Sequence, residues 1–295
     1  MVEHHVANVI VAGSIPVTRS IFFVFFSEEN TVKRYSFFID DNIFWLEELT
    51  KDRSDSVFDH FFLNNLKKLH DKYQVKFLLN LFKGNQASGF LLEEFPDTWK
   101  NEFAANRDWL RFSFHAAFYE THYFDAENYI PATADDFKRD YNYVKKEICR
   151  FAGEKSFMIP QIIHFVEAYP EIKRFLYDEG LRFLADRRQF FEERSEKAGK
   201  VVISYPDADV PEVTRIPFEL VLNNVLLENI EPELMKRIDS EARNYISIMT
   251  HEQHFYSKSR YFLPDHWERL DKAFSILTQN GYVPVWGSEI KFSEL

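Results

Sequence analysis

One cysteine, Cys149, stands among 295 residues, so no disulfide can form within the chain and no CxxC pair exists for a thiolate metal site. Any metal would be held by His, Asp or Glu. Glycine is scarce at 8 residues, where ordinary usage near 7% would supply about 20, and neither GxGxxG nor GxxxxGK[ST] occurs. Glycine-built phosphate loops are therefore excluded. Basic charge is short as well: 36 Lys and Arg stand against 47 Asp and Glu, a net charge of −11, and no basic run is dense enough to follow a phosphate backbone. No nucleic-acid partner is expected. The apolar runs are too interrupted for a bilayer span, which takes roughly 18 to 20 residues. Val6 to Phe26 comes nearest but contains Asn8, Ser14, Pro16, Thr18, Arg19 and Ser20. Glu3, His4 and His5 precede it and no A-x-A cleavage site follows, unlike a secretory signal, so a cytoplasmic location is the expectation. There is no GxSxG elbow and Cys149 falls inside an expected helix, which disfavours a serine or cysteine nucleophile.

What is present is a folding composition, 45% apolar and 28% charged with 32 phenylalanines. Short apolar runs alternate with longer amphipathic segments, the pattern of βα units around a parallel sheet or barrel. The runs that read as strands are Tyr35 to Ile39, Val75 to Phe82, Leu110 to Phe114, Phe157 to Ile163, Leu181 to Ala185, Tyr245 to Met249 and Tyr282 to Trp286. Seven such units fit the length of a barrel. Spacing of apolar residues by three and four predicts helices over Val57 to Tyr73, Trp99 to Arg107, Ala134 to Phe151, Pro170 to Glu179, Pro232 to Arg243 and Asp265 to Asn280. Thr133 reads as an N-cap, and Gly180 and Gly281 as left-handed residues between a helix and a strand. Val201 to Tyr205 and Val213 to Phe218 read as a small β-hairpin decorating the barrel. Residues 1–34 read as an N-terminal extension and 35–295 as one barrel domain. Ile21 to Phe26 is either an extra strand closing the barrel floor or a contact with a second copy, which would make the chain a homo-oligomer.

Parallel strands in such a barrel end on one face, and that face carries the active site. The residues following the apolar runs are Asp40 and Asp41, then His115, His164, Asp186, His251 with Glu252, and finally Glu289. Three histidines and several carboxylates thus converge on one rim. A lone acid after a strand also serves as cap or turn former, a reading open for Asp186 and Glu289. Adjacent Asp40 and Asp41 would face opposite ways on a regular strand. His164 reads either as a rim residue or as a hydrogen-bonded core histidine, and His254 shares a helical face with His251. Imidazole and carboxylate together can bind Zn²⁺ or a similar divalent ion, with a second carboxylate as base and a histidine as acid. Metal-assisted hydrolysis is the chemistry this implies.

At these residues the chain resembles the polysaccharide deacetylase superfamily, the NodB homology domain of carbohydrate esterases. Ser36-Phe37-Phe38-Ile39-Asp40-Asp41-Asn42 is similar to that family's strand-F-D-D-G motif, Phe112-Ser113-Phe114-His115 to its second motif, and Thr250-His251-Glu252-Gln253 to its late histidine motif. The resemblance spans roughly residues 35 to 285 and implies an α/β fold, a distorted (β/α)7 barrel. It implies Asp40 as catalytic base, His251 as acid, and Asp41 and His115 as ligands of a divalent metal such as zinc. The implied activity is removal of an N-acyl group from a carbohydrate or related amide; the alternative is a degenerate barrel that binds a saccharide or a protein partner. Two positions depart from the pattern. Asn42 replaces a glycine, and Tyr119 stands where a second histidine is expected, four residues after His115. His122, His164 or His251 would then complete the metal site, with Tyr119, Asp186 and His254 left as substrate-binding candidates.

Overall fold

Seven parallel strands form the frame of the computed structural model, which describes residues 32–125, 127, 131–199, 203–240 and 244–290. They are β1 (Arg34–Asn42), β2 (Phe77–Phe82), β3 (Leu110–Ala116), β4 (Phe157–Met158), β5 (Phe183–Arg187), β6 (Thr214–Phe218) and β7 (Tyr245–His251). β1 pairs with β7 on one side and β2 on the other, β2 with β3, and β3 with β4. β5 pairs with β6, and the continuation of β6 at Leu220–Val221 pairs with β7. The ring closes between β4 and β5 through the Ala185 N–H to the Gln161 carbonyl, 2.7 Å. This is a distorted (β/α)7 barrel. The distortion lies at β4, which holds only two ladder pairs to β3.

The seventh stave differs from expectation. Tyr282 to Trp286 yields only the strand Val283–Pro284, which pairs with Arg34 and Tyr35 at the start of β1. Pro284 has no N–H to extend a ladder. Its place in the ring is taken by Thr214–Phe218. This segment pairs antiparallel with Tyr205–Pro206, as an arm of the expected hairpin, and parallel with β5. Val201 and Val202, in the first expected arm, and Ile21 to Phe26 lie outside the described residues. No helix among the described residues is long and apolar enough to cross a membrane.

Among the described residues, six of the eight α-helices fall on the expected segments: α2 (Phe61–Tyr73), α3 (Lys100–Asn106), α4 (Ala134–Ala152), α5 (Pro170–Asp178), α7 (Ile230–Ser240) and α8 (His266–Gln279). Thr133 caps α4 in a reciprocal capping box with Asp136. Gly180 and Gly281 adopt φ of +111° and +77°, a region that costs a side chain energy. Two further helices, α1 (Phe44–Asp52) and α6 (Arg188–Ala198), have no local start signal. Neither Ile43 nor Arg187, at their N-caps, makes a side-chain cap bond. For α1 the cap comes from far away in the sequence. The Glu252 carboxylate accepts the N–H groups of Ile43, Phe44 and Trp45 at 2.7, 2.9 and 2.8 Å, three donors that the helix itself leaves unpaired.

The strands sort their side chains by parity. Phe37 and Ile39 of β1, Phe112 and Phe114 of β3 and Leu184 of β5 join the large core between barrel and helices. Their neighbours Phe38, Leu78, Met158, Ala185 and Met249 form a separate, smaller core with Trp286, which fills the barrel interior. The outer core is dominated by aromatic contacts: Trp45 lies against Phe95 and Phe112, and Phe37 and Phe77 meet Phe274 edge-on.

Burial pushes the Glu252 carboxyl up to about 7 against the pull of its backbone donors and the Tyr256 hydroxyl. That stands above the ordinary glutamate value near 4.3, so the folded chain holds this proton more tightly than the unfolded chain. The resulting stabilisation is complete below about pH 4 and is lost as pH rises through about 7. Glu252→Gln should lower stability by about 1 to 3 kcal/mol, because an amide NH2 then faces backbone donors. It should also remove this pH-dependent component. Denaturant midpoints between pH 4 and 8 test it: equal pH slopes in wild type and variant would refute the assignment.

Candidate active site

Continuing the interior parity past the apolar core brings the rim residues into view. Asp40 follows Phe38, Asn80 follows Leu78, His115 follows Ser113, Arg187 follows Ala185 and His251 follows Met249. Asp41 should by this rule face outward. It does not, because β1 breaks its register against β2 between Ile39 and Asn42 and Asp41 takes φ +64°. Two residues of β1 there, Asp40 and Asp41, oppose one of β2, Asn80, a bulge. The buried Asn42 side chain holds the break, donating to the carbonyls of Ile39 and Asn80 at 2.6 and 3.2 Å. Both carboxylates therefore face the cleft.

Asp41, His115 and His164 are buried and converge on one point. His115 Nε2 lies 3.1 Å from Asp41 Oδ1 and 2.9 Å from His164 Nδ1, and the last two atoms are 3.8 Å apart. Ligand atoms about 2.1 Å from a tetrahedral ion stand about 3.4 Å from one another, so this donor set fits a single divalent cation. The outer contact of His164 agrees with that. His164 Nε2–H donates to the Tyr119 carbonyl at 2.8 Å, leaving the Nδ1 lone pair toward the centre. Burial and the neighbouring His115 charge push His164 down to about 3, so it is neutral. Burial acts downward on His115 too, but Asp40 and Asp41 hold it above the ordinary imidazole range. Asp41 would be raised by burial, yet the His115 hydrogen bond and the surrounding imidazoles hold it well below the usual carboxylate range. Its other oxygen accepts from Gln253 at 3.0 Å.

Asp40 occupies a different role in the same cluster. Its Oδ1 accepts from Asn80 Nδ2 at 2.6 Å, and its Oδ2 stands 3.9 Å from His115 Nε2. Burial raises it above the usual carboxylate range against the pull of His115, His251 and the Asn80 bond. His251 is half-buried. Its Nδ1 lies 3.0 Å from the Asn223 side-chain oxygen, which leaves Nε2 as the nitrogen free to exchange protons with a ligand.

Two cavities meet at the cluster. The first, about 440 Å³, is lined by Asp40, His115, His164, Arg187, Phe218 and His251 among others. The second, about 610 Å³, is lined by Phe44, Phe82, Glu120, Arg260 and Tyr261 among others. Asp41, Tyr119 and Gln253 line both, so the cleft has two lobes joined at the candidate ligand Asp41.

The remaining expected residues are placed as follows. Tyr119 is 42% exposed and gives the cluster its carbonyl, not its phenol. His122 is stacked on Phe165 at 4.1 Å and lies outside the three-residue group. His254 turns its Nδ1 to the Tyr261 carbonyl, 2.7 Å. Asp186 has outward parity: it accepts from the Tyr205 hydroxyl at 2.7 Å and faces Arg215, away from the cluster. Glu289 caps its own turn through the Trp286 N–H. Asn80, Gln253, Asn223 and Arg187 were not singled out from the sequence, although parity counted from the interior core reaches Asn80 and Arg187.

No protein-family profile matches the chain, and no curated protein matches it. Solved structures do. The 4-alpha-glucanotransferase from Thermococcus litoralis is 12% identical with a TM-score of 0.55, over 88% of this chain and 40% of that one. The chain thus spans less than half of that enzyme. The likeness is one of fold. The Xyl-CE4 domain of a multidomain xylanase from the hindgut metagenome of Trinervitermes trinervoides matches at 11% identity and a TM-score of 0.46, over 88% of this chain and 89% of that one. The family 4 acetyl xylan esterase from Clostridium thermocellum, solved with a cobalt ion, matches at 12% identity and a TM-score of 0.45, over 86% and 87%.

If the three side chains act as one donor set, Asp41→Ala, His115→Ala and His164→Ala should each lower zinc affinity by at least about tenfold, the low end of the loss seen when only an outer partner of a ligand is removed. Tyr119→Phe should leave it unchanged, since Tyr119 meets His164 through its carbonyl and its ring, both of which phenylalanine keeps. Competition against a chromogenic chelator measures this. Undiminished affinity in the His164 variant would remove it from the set.

Proposed function

We propose that the chain is a metal-dependent hydrolase of the polysaccharide deacetylase type, removing an N-acyl group, acetyl in the first place, from a carbohydrate or related amide. The observation that carries this reading is the convergence of Asp41, His115 and His164 beside Asp40 and His251 in one cleft. An N2O donor set suits zinc, and a divalent ion held there supplies Lewis acidity for acyl hydrolysis. Asp40 is the base. Set beside the donor group and kept off the centre by its bond to Asn80, it takes a proton from the attacking water. His251, fixed through Nδ1 by Asn223, gives a proton from Nε2 to the leaving nitrogen as the carbon-nitrogen bond breaks. The two-lobed cleft leaves room for sugar residues on either side of the reacting group.

Asp40→Asn and His251→Gln should each depress acetate release from an N-acetylated oligosaccharide by roughly 10² to 10⁴ with metal content retained. Asp41→Ala should lose metal and activity together. Acetate release and metal content measured on the same preparations test this. Unchanged turnover in the Asp40 or His251 variant, or no turnover by zinc-loaded wild type, would overturn the reading and favour a binding role for the cleft.

A further inference from the structure

Arg187 ends β5 and projects with interior parity into the lobe that holds Asp40, His115, His164 and His251. It is exposed, and its one side-chain hydrogen bond among the described residues runs from Nη2 to the Phe165 carbonyl, 3.2 Å. No described carboxylate pairs with it. Its neighbour Asp186 faces the opposite way, where the Tyr205 hydroxyl and Arg215 occupy its Oδ2. The carboxylates that share the lobe are also engaged, Asp40 by Asn80 and Asp41 by His115 and Gln253. In an acidic chain, this lobe therefore offers a guanidinium with most of its donors unspent.

A guanidinium presents five N–H donors in a planar fork that matches carboxylate and phosphate oxygens. The carbonyl of Phe165 anchors one arm of that fork. Phe165 and Val166 hold φ of +59° and +73°, which is strained backbone for an aromatic and a β-branched residue. The carbonyl is thus aimed by a fixed turn that also presents His164. The geometry points to Arg187 as the residue that selects an anionic substituent on the substrate, a carboxylate or a phosphate carried near the acyl group. This rests on the hydrolase reading for the reaction but concerns binding, and the two can fail separately.

The test compares three sugars that share the N-acetyl group: N-acetylglucosamine, N-acetylmuramic acid, which adds a carboxylate, and N-acetylglucosamine 6-phosphate. Binding to the full-length wild type, Arg187→Gln and Arg187→Lys is followed by calorimetry or ligand-observed NMR, with acetate release measured separately. One or both anionic sugars should bind about tenfold or more tightly than the neutral one, as a charge-assisted bond provides. Which of the two does so identifies the substituent. Arg187→Gln should abolish that preference and Arg187→Lys retain part of it. Equal binding of all three sugars, a preference that survives in Arg187→Gln, or no binding of any at millimolar concentration would overturn the inference. A preference lost in Arg187→Gln without acetate release from any sugar would sustain it while the hydrolase reading fails.

Discussion

The cleft depends on one break in one strand. A regular β1 would send Asp40 toward the barrel interior and Asp41 toward the helices, and no donor group could assemble. The left-handed Asp41 backbone reverses that, and the sequence supports it without a glycine. Asn42 carries a side chain that repairs the interrupted ladder by donating to two carbonyls, one on its own strand and one on β2. Aspartate is itself among the residues that tolerate this conformation best. The turn that follows is fastened from the other side of β1, because Glu252, just past the end of β7, gathers the first N–H groups of α1. Asp41 is thus held by interior bonds before it and by a remote cap after it. Gln253, the residue next to Glu252, reaches Asp41 directly. The same short segment after β7 therefore positions both the helix and the carboxylate.

Much of this was legible in the sequence because strand ends in a parallel barrel share a face. The apolar runs located six of the seven staves, and the polar residues after them located His115, His164 and His251. The rule does not say which of two consecutive residues turns inward. It led to Asp186, whereas the inward residue of that pair is Arg187; parity counted back to Ala185 of the interior core separates them. The seventh stave was misplaced for a related reason. Thr214–Phe218 contains Pro217 and follows a hairpin turn, so it reads as decoration, yet only its pairing with β5 on one side and Tyr205–Pro206 on the other shows that it belongs to the ring. Helix α1 could not be read locally at all, since its cap lies some two hundred residues away.

Tyr119 is where the cluster departs from the pattern that the sequence resembles. The resemblance places a histidine at that position on the β3 loop. Here the imidazole comes instead from His164 on the β4 loop, and Tyr119 contributes the carbonyl that fixes the His164 tautomer. Both positions remain in one hydrogen-bonded unit. His164 is followed by the strained turn at Phe165 and Val166, on the loop after the two-residue strand β4.

Through His164 the candidate site reaches the short seam between β3 and β4. β4 shares two ladder pairs with β3, as few as Leu220–Val221 shares with β7, and the segment after it meets β5 through one backbone bond among the described residues, whereas β1, β2 and β3 are joined by long registers. The His115 to His164 contact crosses from β3 to the loop after β4, and Asp41 extends the link to β1. A cation shared by these three side chains would bind only the closed ring, because the unfolded chain holds no such donor set. Its binding free energy then adds to the stability of the seam between β3 and β4, where the backbone supplies two ladder pairs. A donor placed at Tyr119 would have linked only β1 and β3, strands already well joined. With His164, the candidate donor group joins the loop after β4 to β3 and β1.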